Sequence, residues 1–583
     1  SPCKLCEEDP SRAPIWQIKA VEVIHDQTTK DIEYKDASLE FYGIPVLYTP
    51  YLSHPDPTVG RRSGFLIPTY GSDSELGALV STPYYFDIAP DKDATVTPIV
   101  STNEGPVLAG EFRHRLSRGE FDITGSGTYA GSDDPGSDEF RGHLKGKFRY
   151  DVNRTWRGGI DVHLATDDTY LRRYGFGSED TLENRLFLEG FRGRNYAAAN
   201  AYYFQGQRID DDPGETPIIF PMLDYNMVGD PGIFGGQWKF DANFLTLART
   251  SSTSSMRGSL KPHWELPYTS EGGHVYRLFA TVQADAYLVN DVVEPDALTN
   301  TLSGITGRIF PQAGFDWRLP MSRSAGRITQ IVEPVVGVVM APSSQNFDKI
   351  PNDDSLSVEF EENNLMSANR FPGLDRVEGG TRVSYGINTG VFGLTGGAST
   401  FFIGQSYRFT DNSDFGQGSG LEDHFSDIVG RLTVTPLRYI NANFRFRLDK
   451  DDFSATRSEL NATFGVPVFQ ISVDYLRVAQ QAIDDVADEE DAFSDREEIS
   501  LSLTSKVTDR WQLGINMRRD LEDGGHSLRH GAFARYEDDC FAFQVDYART
   551  FTRDRDVAPS DTILFRFVLK TLGEFETSGN ALN

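Results

Sequence analysis

Few residues in this chain are equipped for chemistry, and their spacing limits what they could do. The three cysteines stand at Cys3, Cys6 and Cys540. Cys3 and Cys6 have the spacing of half a zinc site, but a tetrahedral site needs four ligands and the one other thiol lies at the far end of the chain. A redox pair of the thioredoxin kind would need a βαβ setting, which the sequence does not offer. Of the ten histidines, His114, His143, His163 and His530 sit in alternating stretches, with no Gly-x-Ser-x-Gly elbow and no metal spacing. A barrel hydrolase or acyltransferase would need a nucleophile, a base and an orienting group that converge. These histidines read instead as wall residues, and neither enzymatic activity, a metal nor a cofactor is expected.

The densest charge chemistry is in FRGHLKGKFRY, residues 140–150. Arg141, His143, Lys145, Lys147 and Arg149 alternate there with Phe140, Gly142, Leu144, Gly146, Phe148 and Tyr150. Successive side chains of a strand point to opposite faces, so one face is apolar and the other is a basic stripe. One such segment would suit any half-buried strand of a soluble sandwich. The pattern recurs, however, at 238–244, 276–288, 440–448, 541–547 and 563–569. Many runs reach roughly 9 to 13 residues, against a usual mode of about 5 or 6, which matches the tilted span of a membrane strand. A lysine or arginine at the bilayer midplane costs about 2–4 kcal/mol, so the apolar face meets lipid and the bases face a lumen. There they either balance neighbouring acids, the commoner role, or attract phosphates of an anionic cargo.

Composition agrees. The 583 residues include 40 phenylalanines, 24 tyrosines and 54 glycines, yet no window approaches the ~18 consecutive apolar residues of a membrane helix. The uncharged stretch 383–407 carries six glycines and reads as two strands and a turn. A formal net charge of −30 argues against nucleic acid as a partner. The acidic runs 411–427 and 481–498 read as solvated external loops, serving either solubility or divalent-cation bridging to an anionic surface; 150–156 and 506–512 read as tight turns. At roughly 20–22 residues per strand and connection, the chain after position 60 holds about 24 to 26 strands. The fold expected is all-β, a large transmembrane antiparallel barrel. No plug segment precedes its strands, so a lumen of this width calls for a partner inside. No signal peptide opens the chain, and SPCKLC reads as the start of a processed or trimmed product.

Particular residues carry a family resemblance. IPVLYTPYLSHP (44–55), RRSGFLIP (61–68) and TPYYFDIAPDKDATVTP (82–98) resemble the barrel entrance of the LptD family of outer-membrane lipopolysaccharide-assembly proteins. The block 351–386, PNDDSLSVEFEENNLMSANRFPGLDRVEGGTRVSYG, resembles that family's long central loop. The stretches 16–26 and 35–43 then correspond to the last strands of its N-terminal periplasmic jelly roll. This gives a jelly-roll remnant and linker over 1–55 and a barrel over 56–583. The resemblance implies an integral, multi-pass protein of the bacterial outer membrane. It would take lipopolysaccharide from a periplasmic LptA-type bridge and insert it into the outer leaflet, with the lipoprotein LptE as plug. A general porin or another large-barrel transporter is the alternative.

Such cargo is amphipathic, and a barrel that parts between its first and last strands lets sugars use the lumen while acyl chains stay in lipid. Pro68 and Pro83 flank or enter the first barrel strand and cannot donate to its ladder, which makes them the candidate lateral-gate residues. Pro90 and Pro98 read as turn markers. The family also implies a long-range disulfide, here from Cys540 to Cys3 or Cys6; Asp539 stands where the family has an adjacent cysteine, so only one such bridge can reach that turn. We expect reduced and non-reduced chains to migrate differently in electrophoresis and Cys540→Ser to abolish the difference. A free thiol at Cys540 in protein matured in the periplasm would rule the bridge out.

Overall fold

The computed structural model describes residues 16–569 except 57, 131–138, 295–296, 344, 357, 395, 412, 480–494, 523, 539–540 and 554–556. Cys3, Cys6 and Cys540, and most of the acidic run 481–498, lie outside the described residues. The chain opens with a small antiparallel sheet of β1 (Trp16–Lys19), β2 (Glu22–Asp26), β3 (Asp31–Phe41) and β4 (Ile44–Pro55). Strands β1 and β2 pair with successive halves of β3, and β4 takes the other edge.

The rest closes into one antiparallel barrel of 26 strands. Arg62 ion-pairs with Asp31, and Phe41 meets Phe541 edge-on at 6.1 Å, so the small sheet rests on the short-turn end of this barrel. Three strands are each written in two segments with a proline between them. The first is Gly64–Phe65 and Thr69–Asp73, broken at Pro68; the second is Gly77–Ser81 and Tyr84–Ala89, broken at Pro83. The fourteenth is Ala297–Arg318 and Met321–Ala325, broken at Pro320. The stretches read as strands from their alternation lie within strands: Glu139–Asp151, Gln237–Ala248, Val275–Glu294, Ile440–Leu448, Phe541–Thr550 and Asp561–Leu569. The uncharged stretch becomes Arg382–Gly393 and Ala398–Arg408 with a tight turn between. Ser254–Thr269, Val275–Glu294 and Ala297–Arg318, at 16, 20 and 22 residues, exceed a membrane span, and the latter two continue beyond it on the long-loop side.

Face assignment follows from exposure. Phe140, Leu144, Leu186, Leu188, Leu223, Trp238, Leu260 and Leu278 all point outward and are exposed, as a lipid-facing surface requires. Glycine and phenylalanine are abundant for a connected reason. Across the ladders Trp156 stands opposite Gly190, Phe187 opposite Gly159, Phe279 opposite Gly314, Phe446 opposite Gly430 and Phe533 opposite Gly514. In each pair the ring lies over the glycine: a Cβ added at Gly314 would meet the Phe279 ring at 2.2 Å, and one at Gly514 would meet the Phe533 ring at 2.1 Å. The aromatic covers backbone that a glycine would leave bare, and the cross-strand pair fixes register.

Gly314→Val should therefore overpack its site by about 1–3 kcal/mol. We expect a lower unfolding temperature of the detergent-solubilised barrel, with Phe279→Ala in the same chain recovering part of the loss. Equal stability of Gly314→Val and the parent would remove the ring-over-glycine account.

Candidate functional site

The two ends of the barrel sheet meet at a short seam. The last strand, Asp561–Leu569, registers with the first from Thr562 opposite Asp73 to Arg566 opposite Thr69, five positions. Its other edge registers nine positions with Phe541–Thr550. The next residue on the first strand is Pro68, and the seam ladder ends there, leaving Phe567, Val568 and Leu569 without a registered partner on that side. Beyond Pro68 the first strand follows the second instead: the Leu66 amide donates to the Pro83 carbonyl at 2.9 Å, and Gly64–Phe65 pairs with Tyr84–Tyr85. Pro68 thus interrupts the first strand as expected, whereas Pro83 interrupts the second rather than flanking the first. Alternation cannot tell which of two adjacent short segments carries a given proline.

The long-loop end of the seam is clasped. Thr562 Oγ1 donates to Asp73 Oδ2 at 2.6 Å, the Asp561 amide to Ser74 Oγ at 2.8 Å, and the Ala558 amide to Glu75 Oε1 at 2.6 Å. Gly71 allows close approach in the middle, since a Cβ there would lie 2.6 Å from Leu564 Cδ2. Behind this stretch, the loop carrying helix α1 (Tyr170–Arg173) folds inward. Tyr170, Leu171 and Tyr174 bury against Leu76, Leu79, Val107 and Leu182, with Leu564 of the last strand packed alongside. Apolar contact therefore joins both sides of the seam on its inner face.

The basic stripe is largely matched by acids. Arg141 donates to both oxygens of Asp167 at 2.9 and 2.6 Å, Lys145 to Glu179 at 3.2 Å, and Arg149 to both oxygens of Asp161 at 2.6 and 2.8 Å. His143 bonds Ser126 at 2.7 Å and lies over Phe176 at 4.6 Å. Lys147 is in register with Asp122 on one side and Asp161 on the other. Although burial opposes it, the Arg141 guanidinium and the Thr169 amide hold the Asp167 carboxyl below the usual range.

A second inner feature was not evident in the sequence. The connection 341–381 between Ile328–Met340 and Arg382–Gly393 does not lie outside as a solvated loop but folds against the inner wall. At one end Arg257 donates to Asp354 and Asp375, both at 2.6 Å, and Arg308 donates to Asp285 at 2.7 Å and to the Leu374 and Asp375 carbonyls. Burial pushes the Asp375 carboxyl up; Asp354, buried too, is held low by Arg257 and the amides of Asp375 and Leu374. In the middle Arg370, fully buried, donates to Glu378 at 3.1 Å and to Ser406 at 2.9 Å. Leu365 seats on Gly404, where a Cβ would meet its Cδ2 at 2.4 Å. It joins Phe360, Phe415, Leu421 and Val429 in a small core inside the barrel. The acidic, glycine-rich 411–427 is part of that core rather than a solvated loop: Arg408 donates to the Leu421 and Glu422 carbonyls, and Arg447 to those of Gly418 and Ser419. Burial pushes the carboxyl of Asp427, 3.4 Å from Arg447, up to about 6. The available signal was the run of arginines at inward positions, 382, 408, 431, 445, 447 and 457, beside a loop dense in carboxylates.

Among the described residues no group of three or more His, Cys, Asp or Glu is arranged to hold a metal. Comparison with known proteins points one way. The family model LptD, described as LPS transport system D, matches residues 139–511. The LPS-assembly protein LptD of Hahella chejuensis is 27% identical over 96% of this chain and 71% of its own length. That of Thiobacillus denitrificans is 24% identical over 98% of this chain and 75% of its own, and that of Salmonella typhimurium 28% over 68% and 52%. With its closed 26-strand wall and lipid-facing outer surface, this integral outer-membrane barrel belongs to the LptD family.

Proposed function

We infer that the chain inserts lipopolysaccharide into the outer leaflet, passing the sugars through the lumen and the acyl chains sideways through the seam. The observation that carries the reading is the seam ladder that ends at Pro68 while its far end stays clasped. Acyl chains cannot cross a watery lumen, and bare phosphates cannot cross hydrocarbon without a cost of several kcal/mol or more. A cleft at the level where three last-strand residues lack partners meets both demands. Each ladder bond forgone there lowers the cost of parting by about 0.5–1.5 kcal/mol. The side-chain clasp at the long-loop end and the α1 cluster would hold the barrel together while the cleft widens. Sheet β1–β4, set at the short-turn end, is the docking side for an LptA-type bridge, and the lumen space that 341–381 does not fill is the place for LptE.

Cysteines replacing Ser72 and Ile563, which face each other across the seam, should crosslink and stop surface delivery of lipopolysaccharide, with reductant restoring it. Complete crosslinking with normal delivery would sink the lateral opening. Replacing Pro68 and Pro83 together by alanine should lengthen the ladder, slow delivery and raise the temperature at which the barrel unfolds in detergent; unchanged delivery would take the prolines out of the mechanism. For the basic stripe, changing Arg141, Lys145 and Lys147 together to glutamine should impair barrel assembly, because Asp167 and Glu179 lose their partners. Normal assembly with slowed delivery would instead make the stripe a path for anionic cargo.

A further inference from the structure

We propose that Arg431, Arg445 and Arg457 on the inner wall form a binding site for a chain bearing two or more phosphates, and that Glu359, Glu361 and Glu362 occupy this site as a built-in competitor. In the antiparallel register Arg431 stands directly opposite Arg445, and Arg447 directly opposite Arg457. Like charges facing each other across a ladder are destabilising unless an anion lies between them. From the wall itself Glu459 comes only to 3.9 Å of Arg445 and of Arg457. Arg447 is met by Asp427 at 3.4 Å, and the counter-charge at the other three comes from 341–381: Glu362 lies 3.3 Å from Arg431 and 3.7 Å from Arg445, Glu361 3.9 Å from Arg445, and Arg457 lies 2.9 Å from Glu359 and 3.2 Å from Glu361.

The two parts of the loop are held differently. Near 354 and 375, charged partners meet at 2.6 Å in hydrogen-bonding geometry and are shut away from solvent on the arginine side. Around 361 and 362 the contacts are longer, from 3.2 to 3.9 Å. Arg445 Nε, Arg457 Nε and Glu362 Oε1 are buried without a hydrogen bond. Burial pushes the Glu361 carboxyl up, so its anion is poorly stabilised where it sits. Arg431 and Arg445 remain 43% and 33% exposed, so an anion in the lumen can reach them. A guanidinium fork is matched to the spread oxygens of phosphate. A bis-phosphate would engage guanidinium N–H groups that the carboxylates leave unused, swinging the Glu359, Glu361 and Glu362 side chains aside while buried Phe360 and Leu365 and the part near 354 and 375 keep the loop anchored. The lipopolysaccharide reading supplies the expected source of the phosphates; the site itself does not depend on it.

The test is titration of inorganic pyrophosphate into the detergent-solubilised full chain at low ionic strength, followed calorimetrically. Glu359→Gln, Glu361→Gln and Glu362→Gln together should tighten binding about tenfold or more, and adding Arg431→Gln, Arg445→Gln and Arg457→Gln should remove the gain. An unchanged affinity on neutralising the glutamates, or a gain that survives loss of the arginines, would overturn the proposal. Because the charge variants could misassemble, the parent chain gives a second reading: pyrophosphate, but not sodium chloride of equal ionic strength, should, with Phe360 and Leu365 staying protected, speed hydrogen exchange at the amides of Glu361 and Glu362. Unaltered protection there would overturn it as well. Competition by intact but not dephosphorylated lipopolysaccharide would assign the site to the cargo, and competition by neither to a free phosphate compound. Pyrophosphate binding requires neither membrane nor delivery, so it can fail while the seam crosslink succeeds, and the reverse.

Discussion

Everything in this molecule depends on one requirement: within hydrocarbon, each backbone amide and carbonyl must find its partner inside the protein. A sheet meets it only by closing, and closure of 26 strands forces the first to find the last. Among the described strands of the wall, that junction alone pairs neighbours that are not consecutive in the chain. At this junction the chain puts a proline that cannot donate, and the ladder ends at five registered positions. The same requirement that makes the barrel stable thereby puts its shortest ladder at the closure.

Closure at this size creates a second problem, a wide polar interior. The wall answers with arginines at inward positions, and much of the balancing charge arrives from connections rather than from adjacent strands. Asp167 and Glu179 come from the loop of α1 to meet Arg141 and Lys145. Asp354 and Asp375 come from 341–381 to meet Arg257, and Glu378 to meet Arg382. These buried pairs add little net stability when weighed against apolar replacements, but breaking one leaves an uncompensated charge. They therefore fix where each loop sits more than they raise the stability of the whole.

The wall was legible in the sequence because its period is two and does not depend on context. Phe140 against Arg141, or Phe444 against Arg445, states which face meets lipid without knowledge of any neighbour, and chain length then bounds the strand count. The interior was not legible, for the opposite reason. Glu361 and Asp375 look like residues of a solvated loop, and only the fold shows Arg457 and Arg257 waiting for them. Acidity in 411–427 misled in the same way, since Phe415 and Leu421 within it are what bury. Pro83 was recognised as a ladder breaker, but its assignment to the second strand needed the register that alternation cannot give.

The position of 341–381 in the chain has a consequence for how the molecule comes to exist. Its contacts reach back to Arg257 and Arg308, and forward to Ser406, Arg431 and Arg457. A segment gripped from both sides by strands made before and after it can take its place only once those later strands have been laid down. Both of its ends sit at one rim of the wall, so it can settle into the lumen from that mouth as the inward arginines come together. Such contacts are far apart in sequence, and the chain-closure entropy they cost is met before they return any stability. A wall that closes without this segment in place encloses arginines whose counter-charge is missing.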